Sequence, residues 1–284
     1  MNIYAFADET HEEVDLQIRA MLRNHLQGLE IRSVDGENVS KISLEKAKEV
    51  RKKMDDAGLI TWSIGSPIGK FYVTPNADYE GEKDKLKHTL EVAEILGAGN
   101  LRMFSGRIPK GDAPEAYRSL VFELLAEYIE IAKPHPVTLC HENEKGIYGD
   151  NAIRTAEILT AFPEIHGIFD PANFVQVGQD TLEAWKLLKN RIRYMHIKDA
   201  FSDGKVVPPG CGEGHLPEIV REFVAMGGKD FTMEPHLHAF SSFKTLEEKG
   251  QESLLAKEQY VYESGDAALD AAVRYFRQIL ETIG

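Results

Sequence analysis

The chain has 284 residues, 43% of them hydrophobic and 28% charged, with 23 Gly and 12 Pro. That make-up excludes disorder, collagen-like repeats and coiled coil, and leaves a globular protein with material for a core. Lys and Arg number 33 against 46 Asp and Glu, and the formal net charge of −13 repels phosphate backbones and anionic bilayers, so neither nucleic acid nor a membrane is expected as a partner. The two cysteines, Cys140 and Cys211, are too few for a disulfide framework and stand in no zinc-binding spacing. The start Met1-Asn2-Ile3-Tyr4-Ala5-Phe6-Ala7-Asp8 lacks a basic segment followed by a long apolar run, and the expected location is the cytoplasm.

Along the chain, short β-rich runs alternate with longer amphipathic segments, with no Pro/Ser-rich linker between them. The pattern predicts strands over 3–7, 28–34, 59–64, 100–104, 137–143, 166–170, 192–197 and 230–234. It predicts helices over 43–58, 79–97, 114–132, 151–162, 181–190, 216–227 and 266–283. Eight rounds of about 35 residues fit one (β/α)8 TIM barrel over residues 1–284. A doubly wound sheet is disfavoured because no GxGxxG turn follows the first strand. The surplus length falls in an insertion between strand eight and the last helix, residues 236–265. With Phe240, Phe243, Leu246, Leu254, Leu255, Tyr260 and Tyr262, it is expected to form a lid or the contact of a homo-oligomer.

In such a barrel the site lies at the C-terminal strand ends. Strands five to eight end in Glu142, Asp170, His196 and Glu234, each one βα round from the next. Adjacent strands lie about 5 Å apart, so the four can converge on one metal ion. Alternation sends Thr138, Cys140, Ile168, Tyr194 and Thr232 inward with them, and His141, Phe169, Met195 and Met233 toward the helices. Three carboxylates and an imidazole suit a divalent ion of intermediate hardness, with Mn2+ favoured over Ca2+, and Zn2+, Co2+ or Mg2+ left open. For Asp170 the competing reading is a helix cap before Pro171.

A hydroxyketone chelating such an ion has an acidified C–H, because the metal stabilises the developing enediolate. Glu142 and Glu234 are the expected catalytic pair, one removing the proton and the other returning it. Return to the same carbon epimerises; return to its neighbour isomerises an aldose and a ketose. Expected substrate contacts are His141, Lys198, His236 and Lys70, the last in Gly65-Ser66-Pro67-Ile68-Gly69-Lys70, which lacks the final Ser/Thr of a P-loop. Gly210-Cys211-Gly212-Glu213-Gly214 is expected to be a flexible turn able to close over substrate.

The stretches His141-Glu142-Asn143-Glu144-Lys145-Gly146-Ile147-Tyr148-Gly149-Asp150, Phe169-Asp170-Pro171-Ala172-Asn173, His196-Ile197-Lys198-Asp199 and Met233-Glu234-Pro235 resemble the xylose-isomerase-like barrel superfamily. More narrowly, they are similar to the sugar phosphate isomerase/epimerase group that includes the ketose 3-epimerases. The resemblance implies one metal held by Glu142, Asp170, His196 and Glu234, with the two glutamates exchanging the proton of a small sugar substrate. Ketose epimerases commonly carry a substrate-contacting His where this chain has Asn173, so Asn173 is a candidate contact and their substrate preference does not transfer. A lyase, dehydratase or keto-glycoside-processing enzyme using the same enediolate is the alternative chemistry. A carbohydrate-binding barrel without turnover is the non-enzymatic one. A DNA-cutting barrel would need further His ligands at earlier strand exits, where this chain has Gly65-Ser66 and Phe104-Ser105-Gly106.

Overall fold

The computed structural model describes residues 1–239 and 258–283. Eight parallel strands close on themselves: β1 (Asn2–Ala5), β2 (Gly28–Ile31), β3 (Ile60–Ile64), β4 (Asn100–Met103), β5 (Thr138–Glu142), β6 (His166–Phe169), β7 (Ile192–Ile197) and β8 (Asp230–Met233). Each strand pairs with its sequence neighbours, and β1 pairs with both β2 and β8. The chain is therefore a (β/α)8 TIM barrel. Gly28 permits the tight approach of β2 to β3, since a Cβ there would stand 1.9 Å from the Ile60 carbonyl oxygen.

The helices are α1 (Val14–Arg23), α2 (Leu44–Asp56), α3 (Tyr79–Leu96), α4 (Arg118–Ala132), α5 (Ala152–Ala161), α6 (Pro171–Gln176), α7 (Thr181–Leu188), α8 (Leu216–Ala225) and the C-terminal helix Gly265–Glu281. Side chains start several of them: Ser43 accepts from the Lys46 N–H, Asp78 from Gly81, Asn151 from Arg154 and Ser264 from Ala267. Gly97, at φ 73°, ends α3 in the left-handed conformation.

Two layers of core follow from strand alternation. Outward residues such as Phe169, Met195, Phe231 and Met233 join the helices in the main apolar cluster. There Phe169, Trp185, Phe223, Phe231 and Phe276 form a chain of ring contacts with centroids 5.1 to 6.0 Å apart. Inside the barrel a separate plug of Cys140, Ile168, Tyr194 and Trp62 fills the lower half, with Tyr4 stacked on Trp62 at 4.8 Å. The β2–β3 register skips Trp62, pairing Leu29 with Thr61 and Glu30 with Ser63. This bulge places the Ser63 hydroxyl inside the barrel, 3.0 Å from the Tyr194 hydroxyl.

Strand two stops at Ile31 rather than running to residue 34. Ser33–Val34 instead folds back on Glu37–Asn38 as a hairpin, because Asp35 and Gly36 both take positive φ (50° and 77°) and close a two-residue turn. The expected lid or subunit contact at 236–265 lies mostly outside the described residues. Its described ends meet, with His238 Nδ1 3.1 Å from the Tyr262 carbonyl oxygen. Among the described residues no helix is long and apolar enough to cross a membrane.

Candidate metal centre

Register brings the four strand-end residues together. Glu142 pairs across to Ile168, two residues before Asp170, and His196 pairs across to Thr232, two residues before Glu234. One donor atom from each of Glu142, Asp170, His196 and Glu234 lies within 4.8 Å of the others, and all four residues are buried. Asp170 does two jobs at once: Oδ1 caps α6 by accepting from the Asn173 N–H at 3.0 Å, while Oδ2 faces the donor cluster in an ion pair with Lys198 Nζ at 2.8 Å. The cap and the ligand are thus compatible readings of one side chain. Asn143 locks the position by a reciprocal pair with the Asp170 backbone, at 2.9 and 3.0 Å.

Each glutamate has one oxygen beside His196 Nδ1 and the other on an arginine. Glu142 Oε1 is 3.0 Å from Nδ1 and its Oε2 accepts from Arg102 Nη1 at 3.0 Å. Glu234 Oε2 is 3.3 Å from Nδ1 and its Oε1 accepts from Arg32 Nη1 at 2.9 Å. Both guanidinium groups lie over the Phe6 ring, at 4.5 and 4.9 Å from its centroid. On the far side of the imidazole, His196 Nε2 donates to Glu30 Oε2 at 3.1 Å, and Glu30 Oε1 accepts from Tyr194 at 2.8 Å and Ser63 at 3.2 Å. A carboxylate behind the outer nitrogen fixes the ring orientation and leaves Nδ1 for the ion.

The charges fit a divalent ion. Six carboxylates here are nearly inaccessible to solvent (Asp8, Glu9, Glu30, Glu142, Asp170 and Glu234) against three cations, Arg32, Arg102 and Lys198. An excess of three negative charges is unfavourable in so dry a space unless cations or protons join it. The acidities respond accordingly. Burial pushes Asp170 up to about 6, against the pull of Lys198 and helped by Glu142 and Glu234. His196 is driven well above the ordinary imidazole range because Glu142 and Glu30 outweigh its burial. Burial would raise Glu234, yet Lys198 and His196 hold it well below the usual carboxylate range. A second group, the carboxylates of Glu9 and Glu234 with the His236 imidazole, lies alongside, and Arg32 already supplies it with a cation, 3.4 Å from Glu9 and 2.9 Å from Glu234.

The expected substrate contacts divide into two groups. Lys198 and Asn173 reach the centre, Asn173 Nδ2 standing 3.4 Å from Glu142 Oε1. His236, at φ 49°, is held by its N–H to Glu9 Oε2 and lies 3.5 Å from Glu234 Oε1. Lys70 sits farther out, paired with Glu144 at 3.0 Å and 4.5 Å above the Phe104 ring. His141 follows strand alternation to the outer face: Nε2 meets the Ser105 hydroxyl at 2.9 Å, and burial lowers its pKa to about 4. The turn at 210–214 is pinned rather than free, since the Asp199 carboxylate accepts from the Gly210, Gly212 and Gly214 N–H groups at 2.9 to 3.0 Å. Arg32, Arg102 and Glu30 went unread in the sequence; their signal was a charge on the inward parity of an otherwise apolar strand.

The model of the family described as xylose isomerase-like TIM barrel matches residues 20–257. No curated protein matches the sequence significantly. Among solved structures, the chain is similar to an L-ribulose 3-epimerase at 19% identity and TM-score 0.77, covering 100% of this chain and 95% of that one. It is similar to the IolI protein with a bound zinc atom at 16% identity and TM-score 0.76, covering 100% and 99%. The probable 3-DHS dehydratase AsbF from Bacillus anthracis follows at 16% identity and TM-score 0.74, covering 98% and 99%.

Proposed function

The chain belongs to the xylose isomerase-like TIM-barrel family, and from that premise we propose that it is a divalent-metal-dependent isomerase or epimerase of a small sugar or sugar derivative. The observation that carries this reading is the pairing of two glutamates across one donor cluster, each with one oxygen toward His196 Nδ1 and the other on its own arginine. Glu142, Asp170, His196 and Glu234 hold the ion, for which Mn2+ is the proposed occupant.

When bound, the ion polarises a substrate carbonyl and acidifies the adjacent C–H. Glu142 and Glu234 then take and return the proton, entering from strands three places apart around the barrel. Glu142 Oε1 and Glu234 Oε2, beside His196 Nδ1, would be the oxygens that hold the ion, leaving Glu142 Oε2 and Glu234 Oε1, next to the arginines, to exchange the proton. Arg102 and Arg32 keep these carboxylates oriented, and the low pKa of Glu234 makes it a base at rest. Lys198, beside Asp170 and Glu234, supplies a donor for a substrate oxygen. Asn173 and His236 complete the contacts around the glutamates.

The test is deuterium wash-in. Full-length protein loaded with Mn2+ is incubated in D2O with a panel of ketoses, keto-glycosides and their phosphates, and the products are read by mass spectrometry and NMR. The expected result is metal-dependent deuterium at a carbon next to the carbonyl of at least one member. Elimination without isomer formation, or no exchange with any member, contradicts the proposal.

A further inference from the structure

We propose that the Arg32 guanidinium occupies a second cation site in the mouth, in the place a second divalent ion would take, and so fixes the centre at one metal. This inference rests on the proposed one-ion centre and names the residue that sets its metal count. The site lies where three neighbouring strands of the barrel end: Asp8 and Glu9 follow β1, Arg32 follows β2, and Glu234 and His236 follow β8. Apart from Arg32 these are three carboxylates and one imidazole, the same donor types as Glu142, Asp170, His196 and Glu234.

Glu234 belongs to both sets. Its Oε2 is 3.3 Å from His196 Nδ1, while its Oε1 lies 3.5 Å from His236 Nε2. Glu9 Oε1 is 3.4 Å from that same nitrogen, and one donor atom from each of Glu9, Glu234 and His236 lies within 4.8 Å of the others. Into this group Arg32 directs all three guanidinium nitrogens. Nε and Nη2 donate to the two Asp8 oxygens at 2.9 and 3.0 Å, Nη2 is 3.4 Å from Glu9 Oε1, and Nη1 donates to Glu234 Oε1 at 2.9 Å.

All five residues are buried, and three carboxylates in so dry a place need a cation or protons. An arginine keeps its charge throughout the working pH range and does not exchange with the solution as an ion does. It also donates hydrogen bonds without forming a coordinate bond, so Glu234 Oε1 stays able to take and return a proton. A metal ion in the same place would claim that oxygen as a ligand. Two ions about 3.5 to 4 Å apart form the clamp used for displacement reactions, and Arg32 withholds that arrangement from this mouth.

The experiment is equilibrium dialysis of the full-length protein against Mn2+, with bound metal counted by plasma mass spectrometry and folding checked by circular dichroism in the same buffer. Wild type should hold one ion. Arg32→Met, which keeps the length of the side chain and removes its charge, should hold two, and Glu9→Gln/Arg32→Met should return toward one because the second site has lost a charged ligand. A count of one in folded Arg32→Met, or of two in wild type, overturns the inference and leaves the one-ion reading to be judged by its own test. Loss of the fold that saturating Mn2+ does not restore in Arg32→Met also overturns it, since a divalent ion would then be no substitute for the guanidinium. No ion in wild type contradicts the metal centre itself, and the inference falls with it. The count requires no turnover, so it stays readable if no sugar is found to exchange deuterium.

Discussion

The two halves of this barrel contribute different parts to one mouth. Strands β5 to β8 end in the three carboxylates and the imidazole that gather around one point, whereas the first half supplies Arg32, just beyond β2, Arg102 from β4, and Glu30 from β2 behind the imidazole. Under the proposed function the second half carries the chemistry and the first half holds the second half in place. A buried carboxylate with nothing opposite it would take up a proton or recruit water, so ligands of this kind need the partners the early strands provide.

The largest effect should come from the second half. Glu142→Gln and Glu234→Gln keep a carbonyl oxygen but remove the base, and each should lower deuterium exchange by about 10² to 10⁴ while costing less in Mn2+ affinity. Near wild-type exchange by both variants, saturated with metal, would move proton transfer to other residues.

Next comes the first half. Arg102→Met leaves Glu142 Oε2 without its donor in a nearly dry site, and urea unfolding of the metal-free protein should show a loss of about 3 to 5 kcal/mol. An unchanged midpoint would mean that Arg102 does not stabilise the mouth. Glu30→Gln retains an acceptor for His196 Nε2 but not its charge, and should weaken Mn2+ binding about 10- to 100-fold, read by competition with a fluorescent chelator. Equal affinity would make Glu30 a packing residue only.

The smallest effect concerns protons. In the metal-free state Glu142 and Glu30 raise His196 well above its ordinary range, so near neutrality the ring is an imidazolium, and an ion must displace its Nδ1 proton. Because the folded, metal-free ring is protonated below its raised pKa, Mn2+ affinity should climb as pH rises toward that pKa, about tenfold per unit. Calorimetry in buffers of different ionisation enthalpy should count about one proton released per ion, and none released would contradict the pairing.

Much of the fold was legible because alternation and capping are local. The eight strands carry period-two patterns, and Ser43, Asn151 and Gly97 mark helix ends through their own side chains or φ. Helix α1 was passed over; its N-cap residue, Glu13, makes no side-chain cap. The Asp35-Gly36 turn was a readable signal that a single long strand concealed. At the site, the four converging residues were legible because each ends a strand. Arg32, Arg102 and Glu30 were not, because their importance lies in partners one to six strands further along the chain: Arg102 matters only beside Glu142, Glu30 only behind His196, and Arg32 only beside Glu234. His141 shows the converse, a site-type residue that alternation had already turned toward Ser105 and the helical shell.

The most direct test of the central claim, one divalent ion at the ends of β5 to β8, is anomalous diffraction at the manganese edge from crystals of the full-length protein soaked in MnCl2. The account predicts one strong peak with donor atoms of Glu142, Asp170, His196 and Glu234 about 2.0 to 2.3 Å away, lost in an Asp170→Ala/His196→Ala variant. No peak there, a peak elsewhere, or its survival in that variant would contradict it.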